Sequence, residues 1–109
     1  MVEGLWSIEI GEHPVHMQGG GVVVFENQRV LGGSSDYIYT GKYEEKDNVV
    51  QGEVTVKFYG KKTSPIFGRL TEFQVRFSGK VRNVMELRNY VVEDPKKEIF
   101  LRLSRRAKI

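Results

Sequence analysis

The sequence predicts an all-β fold: a single domain over residues 1–109, built as a small antiparallel up-and-down barrel of about eight strands. Three observations carry this expectation. Apolar and polar residues alternate with a period of two through most of the chain, as a strand with one buried face requires. Turn-forming residues recur at short intervals and leave no room for helices of ordinary length. The chain of 109 residues has 39% hydrophobic and 28% charged residues, enough to bury one core and too little for two.

Taken in order, Trp6, Ile8 and Ile10 alternate with Ser7 and Glu9. A loop is expected over 11–21, because Pro14 and the run Gly19-Gly20-Gly21 interrupt regular structure. "GVVVFEN" resumes the strand signal, and Asn27-Gln28 reads as a tight hairpin turn into Arg29–Leu31. Gly32–Ser35 reads as a wide turn. Tyr37, Tyr39 and Tyr43 then share one parity and one face, followed by a charged loop over 44–48. In "GEVTVKFYG", Val54, Val56 and Phe58 oppose Glu53, Thr55 and Lys57. A long loop over 60–69 leads to "TEFQVRFSGKVR", with Phe73, Val75, Phe77 and Val81 on one side. Residues 84–94 are ambiguous, since Val84, Leu87 and Val91 sit at helical spacing while the β-branched content favours a strand. After the Asp94-Pro95 turn, "EIFLRL" places Ile99, Leu101 and Leu103 inside, and the basic tail with Arg102, Arg105, Arg106 and Lys108 follows. Closure into a barrel removes the free edges that such a meander would otherwise expose.

The expected interior is Trp6, Ile8, Tyr37, Tyr39, Val54, Val56, Phe58, Phe73, Val75, Phe77, Leu101 and Leu103. Eight strands enclose a space filled by side chains or holding one small ligand. A slot for a small hydrophobic ligand would be lined by Trp6, Tyr37, Tyr39, Phe58 and Phe77, and a filled core is the competing expectation.

The net charge of +3 conceals an asymmetry. Residues 1–60 carry four Lys or Arg against nine Asp or Glu, hence −5, and residues 61–109 carry thirteen against five, hence +8. The preferred reading is that the halves attract each other in the fold or in a dimer; a basic surface for nucleic acid, an anionic membrane or an acidic partner is the other. Lys96, Lys97, Arg69, Arg76, Lys80 and Arg82 would join the tail in such a surface, but the aromatics that stack single strands lie at inward parities, which disfavours nucleic acid.

No run approaches the roughly 20 apolar residues of a spanning helix, and the first residues lack the basic and apolar regions of a signal peptide, so a cytoplasmic protein without membrane contact is expected. Cysteine is absent, which excludes disulfides and thiolate chemistry. Gly32-Gly33-Ser34-Ser35 is not followed by the helix that a phosphate loop uses. Glu12, His13 and His16 form the one cluster with metal-ligand chemistry, but they surround Pro14 in a loop and lack the third or fourth ligand of a zinc site. Glu9, Glu26, Glu53 and Glu72 fall on outward parities, and no nucleophile accompanies a positioned base. The expectation is a protein without enzymatic activity, metal or cofactor.

The order Gly4-Leu5-Trp6-Ser7-Ile8, then "GGGVVVFENQRVLGG", then "SDYIYTGKYEEKDNVVQGEVTV" resembles the GrlR-like family, named for a negative regulator of type III secretion in enteric bacteria. The resemblance covers roughly the first 60 residues. It implies a lipocalin-like barrel, dimeric in the founding member, that restrains a transcriptional activator by binding it. It also implies that the partner contact lies at Glu44, Glu45, Lys46, Asp47 and Asn48, where the family carries alternating Glu and Asp; Lys46 and Asn48 depart from that acidic pattern. A carrier of a small hydrophobic ligand and a nucleic-acid binder using the basic second half are the alternatives.

Overall fold

A computed structural model of the chain describes residues 1–97 and 99–109. Eight strands among these residues form a closed antiparallel barrel in simple sequence order: β1 (Gly4–His13), β2 (His16–Glu26), β3 (Arg29–Gly33), β4 (Tyr37–Lys46), β5 (Val49–Phe58), β6 (Glu72–Lys80), β7 (Val84–Val91) and β8 (Phe100–Ala107). The barrel closes where β1 meets β8, from Leu5 opposite Ala107 to Gly11 opposite Phe100. Every strand thereby has two neighbours, which removes the long free edges that an open meander would expose.

Two hairpin turns follow directly from the sequence. Asn27-Gln28 and Asp47-Asn48 both have positive φ at each residue, between 51° and 64°. This is the turn geometry whose twist matches that of the strands it joins, and Asn and Asp tolerate it best among residues with a side chain.

The core follows the period-two pattern. Trp6, Ile8, Tyr37, Tyr39, Val56, Phe73, Val75, Phe77 and Leu103 are buried, whereas Val54, Phe58 and Leu101 are half-buried and pack against them. The ambiguous segment is a strand: Met85, Leu87 and Val91 are buried, and Val84 is 53% exposed. Period two wins because Met85, an inward position, does not fit the helical set.

Three expectations are corrected. The segment 11–21 is not a loop, because β1 runs to His13, β2 starts at His16, and Pro14-Val15 is the whole turn. The three glycines lie inside β2, which crosses β1 with register shifts after Ser7 and Ile10. A Cβ on Gly20 would stand 3.2 Å from both Ile8 and Ile10, so the absence of a side chain lets the strand bend close over the core. The segment 44–48 is mostly strand, with Glu44–Lys46 closing β4. The loop over 60–69 is present as expected, and it buries Ile66 and Phe67. Finally, Arg102, Arg105 and Arg106 belong to β8 rather than to a tail, and Glu98, placed at the start of the last strand by its pattern, lies outside the described residues.

Both ends of the barrel are covered. At one end Phe67 packs edge-on against Tyr37 at 4.9 Å and against Phe73 at 4.8 Å, while the Ser64 N–H donates to the Tyr37 hydroxyl at 2.8 Å. Asp36 fixes the same loop through its carbonyl, which accepts from the N–H groups of Tyr59 and Gly60. At the other end Val2 is fully buried, and its carbonyl accepts the Trp6 indole N–H at 2.9 Å.

Candidate functional site

The barrel interior is nearly full. The side chains of Ile8, Val23, Tyr39, Val56, Phe77 and Asn89, with their neighbours, leave a cavity of about 60 Å³. This is space for a few waters, well below the several hundred Å³ of a site for a drug-sized ligand. Of the five residues expected to line a ligand slot, Tyr39 and Phe77 reach the cavity. Trp6 instead lies against Phe25 near the Val2 end, and Tyr37 and Phe58 meet as tilted rings 5.5 Å apart near Phe67.

The polar atoms inside are few. The Tyr39 hydroxyl donates to the Gly20 carbonyl at 2.8 Å, and burial pushes its phenol above the usual tyrosine value. Burial also raises the Tyr43 phenol, which packs on Phe25. Asn89 sits at an inward position of β7, where β7 and β8 part beyond Leu87 opposite Leu101. Its amide nitrogen donates to the Ile99 carbonyl at 2.7 Å and bridges the gap, while its Oδ1 is buried without a hydrogen-bond partner among the described residues. An Asn amid the alternation Met85-Leu87-Asn89-Val91 is the signal that marks it once that segment is read as a strand.

The five residues of the expected partner contact do not form one surface. Glu44, Lys46, Asp47 and Asn48 are exposed around the β4–β5 turn. Glu45 shares the parity of Tyr37, Tyr39 and Tyr43, so its carboxylate turns toward the barrel end, where it is 19% exposed and accepts the Val2 N–H at 2.9 Å. It holds the segment that covers this end of the barrel.

The basic residues also divide by task. Arg76 pairs with Glu53 at 2.6 Å, and Arg102 lies 3.7 Å from Glu9 and 3.9 Å from Glu86. The guanidinium of Arg105 covers the Trp6 ring at 4.5 Å and donates to the carbonyls of Met1 and Glu3 and to Asn83 Oδ1. Arg106 donates to Ser7 Oγ at 2.8 Å. Lys80, Arg82 and Arg88 line an outer groove on β6 and β7, with no ion pair among the described residues.

His13 and His16 face each other across the β1–β2 turn with ring centroids 5.7 Å apart. Among the described residues no group of three His, Cys, Asp or Glu is placed to hold a metal ion. Among the described residues no helix is long and apolar enough to cross a membrane. No protein-family model matches the chain, and no curated protein matches it in sequence.

Proposed function

We propose that the chain is a non-enzymatic protein-binding module of the GrlR-like kind, which restrains a transcriptional activator by holding it on the outer surface of the barrel. The observation that carries this reading is the filled interior: a cavity of about 60 Å³ beneath two covered ends leaves recognition to the outside. The contact is the exposed tip of the β4–β5 hairpin, with Glu44, Lys46 and Asp47 as its charges and Glu45 as its internal anchor. Rigid strands on both sides fix that tip, which spares the ordering cost a mobile loop would add to binding.

The test is a pull-down from the native cell lysate with the chain and with a Glu44→Lys, Asp47→Lys variant, partners being identified by mass spectrometry. Loss of one defined partner, with the circular dichroism spectrum unchanged, is expected; an identical partner set overturns the reading. A small-ligand carrier would instead show thermal stabilisation by fatty acids or small aromatics, and none is expected. A second reading, a nucleic-acid contact, is favoured by the unpaired Lys80, Arg82 and Arg88 of the outer groove. Filter binding of DNA and RNA at low and moderate salt separates it, because phosphate contacts weaken steeply as salt rises.

A further inference from the structure

The paired ladder between β6 and β7 runs from Val75 opposite Val91 to Ser78 opposite Arg88 and stops there. Beyond it β6 stays on β5 as far as Lys80 opposite Val49, and β7 begins on β8 with Val84 opposite Ser104. An outer groove of about 610 Å³ lies along this parting of the wall. Its positive charge comes from Lys80, Arg82 and Arg88, all exposed and without an ion pair among the described residues. Its aliphatic surface comes from Val49 and Val84, which are 40% and 53% exposed. We propose that this groove is a binding site for an acidic segment of a protein partner, one that carries aliphatic side chains beside its carboxylates. The site shares no residue with the β4–β5 tip and does not depend on it.

Charge and surface together choose the occupant. Three unpaired cations stand against one carboxylate, that of Glu86, which lies 3.9 Å from Arg102 on β8. The surplus attracts an anion. Nucleic acid would answer to the same charge, but among the described residues no aromatic side chain lines the groove. Bases therefore find nothing to stack on, and Glu86 repels a phosphate chain. An acidic peptide uses both kinds of surface: its carboxylates meet the two arginines and the lysine, and its aliphatic side chains cover the two valines. The walls of the groove are already fixed. The Val81 N–H donates to the Asn48 carbonyl at 2.9 Å and the Arg105 N–H to the Asn83 carbonyl at 2.8 Å. The turn between β6 and β7 is thus tied on both sides, which leaves little ordering to be done on binding.

The test is fluorescence anisotropy of a short labelled peptide alternating Glu with Val, titrated with the full chain at low and moderate salt. Saturable binding is expected, weakened but not abolished at the higher salt. The variant Arg82→Glu, Arg88→Glu lowers the affinity roughly tenfold, with the circular dichroism spectrum and the urea midpoint unchanged because both side chains are exposed and unpaired. Lys61→Glu, Lys62→Glu makes the same change of net charge on exposed residues of the loop at the opposite end of the barrel, and binds the peptide as the wild type does. A peptide alternating Glu with Ser and a DNA strand of equal charge both bind more weakly than the Glu and Val peptide. The Glu44→Lys, Asp47→Lys variant still binds that peptide, so this site and the β4–β5 contact stand or fall separately. No saturable binding to the wild type, an unchanged affinity in Arg82→Glu, Arg88→Glu, an equal loss in Lys61→Glu, Lys62→Glu, or tighter binding of the DNA strand would each overturn the proposal.

Discussion

Arg105 is the residue through which the cover of one barrel end is most sharply tested. Its guanidinium joins four elements: it donates to the Met1 and Glu3 carbonyls, to Asn83 in the β6–β7 turn, and lies over Trp6. Arg105→Ala removes three charge-assisted hydrogen bonds in a half-exposed setting, where water replaces part of each, so each counts about 0.5–1 kcal/mol rather than the full buried value. The cation–π contact adds about 0.5–1 kcal/mol. The Trp6 N–H keeps its bond to the Val2 carbonyl, so the segment retains one anchor, and the total loss is about 2–4 kcal/mol. For a domain of this size that lowers Tm by about 10–20 °C. Arg105→Lys keeps the charge but not the planar fork, and recovers less than half of the loss. Arg106→Ala, which gives up one exposed bond to Ser7, stays within about 0.5 kcal/mol. Trp6 is the chain's one tryptophan, so urea unfolding followed by its fluorescence reads this end directly, with circular dichroism reporting the whole barrel. An Arg105→Ala midpoint indistinguishable from that of Arg106→Ala would refute the reasoning.

Glu45→Gln replaces the charged acceptor of the Val2 N–H and is expected to cost about 1 kcal/mol in urea unfolding, while Glu44→Gln leaves the midpoint unchanged. Phe67→Ala opens the opposite end and strips a face from Tyr37 and Phe73, with an expected cost of about 3–4 kcal/mol by the same measurement. The Tyr39 phenol, raised in the fold, contributes stability that is complete below the unfolded value near pH 10 and is lost as pH rises through the higher folded value. Alkaline unfolding should therefore be shallower in Tyr39→Phe, at a cost of about 1 kcal/mol near neutrality because the Gly20 carbonyl loses its donor.

What could be read from the sequence was whatever a two-residue period encodes. The tyrosine face of β4, the inward valines of β5 and the aromatic row of β6 were legible because every second residue repeats one polarity. The same rule, carried two residues past Tyr43, places Glu45 inward; reading its charge as a sign of solvent hid its bond to Val2. The glycines of β2 misled for a related reason. A residue without a side chain carries no parity, and a strand bending over Ile8 and Ile10 looks from its sequence like a break. Val2 and Phe67 were out of reach altogether, since nothing local distinguishes an apolar residue in a loop from one that covers a barrel end.

The charge asymmetry acquires a physical meaning once the topology is known. Residues 1–60 contain β1–β5, and residues 61–109 contain β6–β8, so in the closed barrel the strands of the acidic and basic halves pair with each other along two seams, β5–β6 and β8–β1. Each seam holds one ion pair between the halves, Glu53 with Arg76 and Glu9 with Arg102. The expected attraction between halves is thus present, but it neutralises only the charges that border a seam. Lys80, Arg82 and Arg88 lie on β6 and β7 or in the turn between them and make no ion pair among the described residues.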